Sequence, residues 1–302
     1  MPSSASLIFM VIFCLESLAA MLQNGFVITV LGREWVRCQA LSAGDMIVTS
    51  LAVSRFCLHG MGILNNFLAS FKFCYHIGYL NIFWNFLNSL SVWLTSWLAV
   101  FYCVKISSFS HPVFFWLKWR ISRFMPRLLV GSLIICGLSS IFFAIEQAVD
   151  LEMINSQNPH GNCTAAPAVL TFSRHYFLCH VGFMWLIPFL LFLVSIFLLM
   201  FSLCRHMGQM RNGRRGPGDP SIQAHSMALK SLAFFFIFYN AYFLSLIISA
   251  MKITTIQSHW HWVREVLTYA SIYLHSLILV LSSSKLRKAL KTKFSDLCAA
   301  SS

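Results

Sequence analysis

Seven apolar segments, each long enough to cross a bilayer and each bounded by polar or charged residues, constrain this chain more than any other feature. They run at about 7–31, 45–65, 81–105, 127–146, 179–204, 228–250 and 263–284. An α-helix needs roughly 20 apolar residues to span the hydrocarbon core, where every backbone N–H and C=O has to be satisfied within its own segment. With 302 residues in all, the connections are short and leave no room for a large soluble domain. The expectation is one domain, 1–302, folded as an all-α seven-transmembrane helix bundle with 285–302 as a short basic tail. Only 10% of the residues are charged, against about 25% in soluble domains, too few to cover a soluble surface. The first apolar run outlasts the roughly 7–15 residues of a cleavable signal's apolar core and reads as the first span.

Net charge is +13. In a soluble chain such a surplus raises the question of nucleic acid, but here Lys and Arg gather in alternate loops, the signature of a cytoplasmic face that needs no nucleic acid. With the N-terminus outside and the C-terminus cytoplasmic, only Lys72, Arg174, Lys252 and Arg264 of the 22 basic residues fall on the outer side. The inner loops then carry Arg33 and Arg37, Lys118 and Arg120, Arg214 and Arg215, and the tail from Lys285 to Lys293. Such basic loops suit the anionic headgroups of membrane lipids. The same topology puts Asn162-Cys163-Thr164 outside, where Asn162 reads as a glycosylation acceptor.

The ten cysteines are scattered, with no C-x-x-C pair, which argues against a zinc site or a disulfide scaffold. Cys74 and Cys163 both fall outside; spacing alone does not decide whether they bridge. His259-Trp260-His261-Trp262 lacks the acidic or cysteine company of a metal site and reads, with Tyr79, as an aromatic belt at headgroup level.

Specific strings narrow the class. They are Asn24-Gly25-Phe26 in the first span, Leu51-Ala52-Val53-Ser54-Arg55-Phe56 in the second and Phe101-Tyr102-Cys103-Val104-Lys105-Ile106 closing the third. Phe109-Ser110-His111-Pro112 and Leu117-Lys118-Trp119-Arg120 follow in the second inner loop. Asp219-Pro220-Ser221, Ala224-His225 and Ala228-Leu229-Lys230 lead into the sixth span, and His275-Ser276-Leu277-Ile278-Leu279 with Lys285-Leu286 closes the seventh. Over nearly the whole chain this resembles the type 2 taste receptors, the bitter taste receptors among G-protein-coupled receptors. One departure is Ser282-Ser283-Ser284, where many members carry an Asn before the Lys-Leu pair; it bears on coupling efficiency. The resemblance implies a receptor with no catalysis and no cofactor. Its implied partners are small bitter molecules, a heterotrimeric G protein of the gustducin type and, as a possible receptor oligomer, a second receptor chain.

Candidate ligand contacts follow from both the residues and the resemblance. Glu265, near the outer end of the seventh span, is an ionisable group inside a membrane bundle and so a functional candidate, or a partner for the neighbourhood of Arg264. Trp84 and Asn88 are four apart and share a helix face, as an aromatic wall with an amide or as a belt Trp with an inter-helix hydrogen bond. Tyr239 and Tyr242 offer a floor and a side to the same pocket, or plain packing. Arg55, near mid-membrane, demands a hydrogen-bonded environment, with Asn24, carbonyls or Ser and Thr as partners, and reads as a structural or switch residue, not a ligand contact. Tyr102, Lys105, His225 and Lys230 gather on the inner side for coupling, joined as a switch residue by His275. Pro188 and Pro112 match family positions where a bend is useful; Glu16 in the first span is unusual for its depth. The alternative class, a small polytopic transporter or channel, would show paired halves or ionisable residues converging at the midplane, and neither is visible.

Overall fold

The structure, a computed structural model, describes residues 4–70, 74–107, 111–157, 180–212, 220–250 and 259–300. These are helical almost throughout: α1 (Ser4–Cys38), α2 (Ala43–Ser70), α3 (Cys74–Ile106), α4 (Pro112–Gln157), a π-helical turn (Val181–Leu186) running into α5 (Ile187–Asn212), α6 (Pro220–Ala250), α7 (His259–Ser282) and α8 (Ser284–Ala300). Seven stretches, one in each of α1 to α7, are long and apolar enough to cross a membrane. Neighbour contacts run from α1 to α2 to α3, on to α5, α6 and α7, and back to α1, closing a ring with α4 outside it against α3 and α2.

The central helix is α3. About two thirds of its apolar window (67%) is buried, against 22% in α1 and in α4. Between lipid-solvated helices no hydrophobic force draws one to another, so close packing and polar pairs hold the bundle. Accordingly α3 buries Asn85, Asn88, Ser89, Ser91, Thr95 and Ser96 and bonds outward on several sides. Ser54 Oγ of α2 donates to Leu87 O (3.1 Å), Trp97 Nε1 to Ser132 Oγ of α4 (2.8 Å) and Trp185 Nε1, from the π turn, to Ser89 Oγ (3.3 Å). Each such bond contributes about 0.6 kcal/mol on average. The outer faces carry Leu22 and Phe142, 78% and 61% exposed, a surface that would aggregate in water and is solvated by lipid here.

Proline explains two features. Pro112 opens α4, where a missing N–H costs nothing, so Leu117 to Arg120, placed in a loop by hydropathy, is helical. There the Arg120 guanidinium lies 5.1 Å over the Trp116 ring and Trp119 is 91% exposed, an arrangement suited to headgroup depth. Pro188 sits at the second position of α5, just after the π turn. A proline ring crowds the carbonyl four residues back, here Met184, and the widened turn makes room for it. Ser96 Oγ lies 2.6 Å from the Pro188 carbonyl and pins this irregular segment to α3.

The basic end is tied by charge. Ser42 caps α2 with Asp45: the Asp45 N–H donates to Ser42 Oγ (3.1 Å) and the hydroxyl donates back to Asp45 Oδ2 (2.8 Å). Ser283 interrupts the helix after α7 and accepts the Leu286 N–H (3.3 Å), capping α8. Thus part of the Ser282–Ser284 departure has a structural task. Lys285 Nζ then donates to Glu34 Oε1 of α1 and Asp45 Oδ2 of α2, both at 2.8 Å, and Leu286 is buried among Val27, Leu31, Ala52 and Val280. Hydrogen bonds from Lys285 to Asp45 and Glu34 raise its pKa above the usual lysine value. The lysine's contribution is complete below its unfolded value of about 10.4 and fades only as pH climbs through the raised one, so its titration leaves the tie intact near neutrality. With Lys285 41% exposed, each pair contributes only about 0.2–1 kcal/mol.

Candidate functional site

At the end of the bundle away from Lys105 and Lys285, α3 presents one residue per turn to its neighbours. Trp84 Nε1 donates to the Tyr269 hydroxyl of α7 (2.9 Å) and the Tyr242 hydroxyl of α6 donates to Asn88 Oδ1. Tyr239, one turn before Tyr242, reaches Val92 O (3.4 Å) and packs against Phe192. Trp84, Asn88, Tyr239 and Tyr242 therefore meet along the seam of α3, α6 and α7. Asn88 is 1% exposed, and its Nδ2 has no hydrogen-bond partner within the protein. A buried amide donor without a partner costs about 1–3 kcal/mol, and a ligand oxygen would satisfy it.

Glu265 comes to the same region from α7. Its Oε1 accepts from Arg264 Nη2 at 2.6 Å, so the neighbouring cation expected as its partner is bonded to it. Arg264 also reaches His261 Nδ1 (3.1 Å), whose Nε2 faces Asn66 Oδ1 of α2 (3.4 Å).

Sequence reasoning missed Tyr269. It is fully buried, set edge-on to Phe13 (5.0 Å) and His59 (5.2 Å), and seated on Gly62, where a Cβ would lie 2.3 Å from its hydroxyl. Position 62 in α2 therefore excludes any side chain beneath Tyr269. The sequence signal was the Gly60-Met61-Gly62 pair inside a helix, where glycine otherwise weakens the fold.

His180 was missed as well. It stands at the start of the π turn, with Nε2 3.1 Å from Asn85 Oδ1 of α3 and Nδ1 3.0 Å from Ser139 Oγ of α4. The aromatic belt needs a correction: Trp260 is 61% exposed, whereas Trp262 is 7% exposed and packs on Phe13. Two residues on a helix differ by about 200°, so one faces out and the other in. Asn162 and Cys163 lie outside the described residues, as do the side chains of Cys74, Tyr79 and His259.

Nearer the basic end, Arg55 is 3% exposed, with Nη1 on Ser276 Oγ of α7 (2.7 Å) and Nη2 on Thr95 Oγ1 of α3 (3.1 Å). Serine and threonine were among the expected partners. Asn24 is not bonded to Arg55; its amide donates to Ala20 O on its own helix (2.8 Å). His275, expected with the coupling residues, is 2% exposed and stacks on Phe235 (3.9 Å) inside the bundle. Tyr102 packs among Cys103, Leu199 and Leu203, and Lys105 sits in the last turn of α3. The His225 ring of α6 meets His206 of α5 edge-on at 5.2 Å, and Lys230 is exposed one turn further along. These four do not share hydrogen bonds among the described residues.

A closed bundle of seven membrane-crossing helices, with a polar seam toward one end and a buried arginine nearer the other, defines a seven-transmembrane receptor architecture. The family profile described as Taste receptor protein (TAS2R) matches residues 1–297. Taste receptor type 2 member 143 of Rattus norvegicus is 62% identical over 294 residues, covering 97% of this chain and 100% of that protein. Taste receptor type 2 member 62 of Pan paniscus is 59% identical over 292 residues, 97% of this chain and 94% of that one. Member 16 of Homo sapiens is 40% identical over 292 residues, with 97% and 99% covered. The chain belongs to the type 2 taste receptor family. It is accordingly a multi-pass plasma-membrane protein of the bitter-taste class of G-protein-coupled receptors, a class that recognises small tastants, signals through G proteins and is not enzymatic.

Proposed function

We propose that this receptor binds small bitter molecules at the α3–α6–α7 seam and activates a gustducin-type G protein at its basic end. The supporting observation is the pair of bonds Trp84–Tyr269 and Tyr242–Asn88, which tie α3 to α7 and to α6 one turn apart. A ligand that exchanges these bonds for its own changes how the three helices are held, and such differential affinity shifts a receptor between states. Glu265 and Tyr239 complete the ligand contacts. Arg55 and His275 serve as the buried switch, and Tyr102, Lys105, His225 and Lys230 face the G protein. The whole chain works as one domain, with α8 as a basic tail against anionic lipid headgroups, and association with a second receptor is compatible with the exposed apolar faces.

The test is calcium release in cells expressing the chain with a gustducin-type chimeric G protein and a bitter-compound panel. Glu265→Gln and Trp84→Ala are expected to raise the EC50 of an activating compound at least tenfold at unchanged surface expression. Unaltered potency in both would remove the seam as the ligand site. This reading places the N-terminus outside with Asn162 glycosylated. Asn162→Gln is then expected to abolish a glycosidase-sensitive mobility shift on gels, and a parent protein indifferent to the glycosidase would count against that modification.

A further inference from the structure

α4 packs on α3 and α2, whereas the π turn packs on α3 and α5. Between α4 and the π turn lies a cavity of about 270 Å³, open on the side where Leu138, Phe142 and Phe183 are exposed. All three belong to stretches long and apolar enough to cross a membrane, so the opening faces lipid hydrocarbon and not water. Ile135 adds to the apolar wall.

Two polar side chains stand in that wall, and they are bonded to each other: Ser139 Oγ of α4 lies 3.0 Å from His180 Nδ1. On its far side His180 Nε2 meets Asn85 Oδ1 (3.1 Å). Asn85 adjoins Trp84 in α3, so the cavity backs onto the helix that carries the seam. A neutral imidazole donates from one nitrogen and accepts at the other. Asn85 Oδ1 is an acceptor, so Nε2 donates to it and Nδ1 accepts the Ser139 hydroxyl proton. A hydroxyl that donates in this way also accepts, through its lone pairs. The cavity wall therefore offers an acceptor to an incoming O–H.

Size, charge and access define the occupant. Ligand pockets are mostly apolar with a few placed polar groups and start at about 300 Å³, so this one sits at the small end. With about 30 Å³ for each water-sized unit, it holds about nine or ten heavy atoms, one ring with a short substituent. Among the described residues no charged side chain lines it, which disfavours a phospholipid headgroup or a fatty-acid carboxylate. A cluster of waters is disfavoured as well, because each buried water needs about three hydrogen bonds and the wall supplies one polar pair.

We infer that this cavity is a second, lipid-facing binding site, distinct from the seam, for a neutral, lipid-soluble hydroxyl compound of a single ring that donates its O–H to Ser139 Oγ. The ligand reaches it by partitioning into the bilayer.

The experiment photolabels the purified full-length receptor in phospholipid nanodiscs with a phenol carrying a small diazirine, and maps the adducts by peptide mass spectrometry. Adducts are expected to concentrate on α4 and the π turn. 4-Isopropylphenol is expected to displace them at about fivefold lower membrane concentration than cumene, the same ring without the hydroxyl, a ratio in the range of one net hydrogen bond. Ser139→Ala is expected to erase that preference. Ile135→Trp fills the cavity while keeping the hydroxyl, and is expected to cut the labelling at least fivefold. Adducts spread evenly over the lipid-facing sides of α1 and α4 would overturn the inference, as would a phenol preference that survives Ser139→Ala. Equal displacement by cumene would overturn it too, and would mark the cavity as a groove filled by lipid acyl chains.

Discussion

Gly62→Ala is expected to raise the agonist EC50 about tenfold and to lower the Tm by several degrees, while Gly60→Ala, half a turn away, leaves both near the parent values. A Cβ at position 62 would sit 2.3 Å from the Tyr269 hydroxyl and 2.6 Å from its ring. Tyr269 is walled in by Phe13 and His59, so it moves only by giving up the bond to Trp84. Overpacking of this kind costs about 1–3 kcal/mol, and a tenfold change in potency is about 1.4 kcal/mol. At position 60 a Cβ meets only the end of Met21 at 3.6 Å, an ordinary contact, while alanine gains up to about 1 kcal/mol of helix propensity. Equal effects at the two positions would show that Gly62 matters through the helix and not through Tyr269.

The second large effect concerns Tyr242 and Asn88. Tyr242→Phe strands a buried amide whose Nδ2 already lacks a partner, and the cost of stranding a polar group is about 1–3 kcal/mol. Replacing both members, in Tyr242→Phe with Asn88→Leu, removes the polar groups together and is expected to recover most of the lost thermal stability. The bitter response should not recover with it, because the amide that would meet the ligand is gone. A double variant that regains stability and full potency would assign the pair to packing alone.

Much of the architecture could be read from hydropathy, since a span is a property of one segment and the lipid requirement acts on each independently. The site was less legible, for a geometric reason. A 3.6-residue period says which residues share a face but not how far each helix is rotated toward its neighbours. The spacing of Trp84 and Asn88 was enough to put both on one face, but not to show that Tyr269 and Tyr242 would meet them. Arg55 announced its need for partners through the cost of burying charge, yet Asn24 at matching depth lost to Ser276 and Thr95, which the closing of the ring brings within reach. Trp260 and Trp262 read alike as a pair of belt residues until the start of α7 at His259 fixed their phase. His180 gave no signal in advance, because its partners, Asn85 and Ser139, come from two other helices.

The first turn of α8 has a practical consequence. Leu286 is packed against α1, α2 and α7 and Lys285 grips both α1 and α2, so a deletion ending at Ser283 would unseat the junction of three helices. A reporter joined after α8 would leave these contacts in place, and the same reporter joined a helix earlier would measure a different molecule.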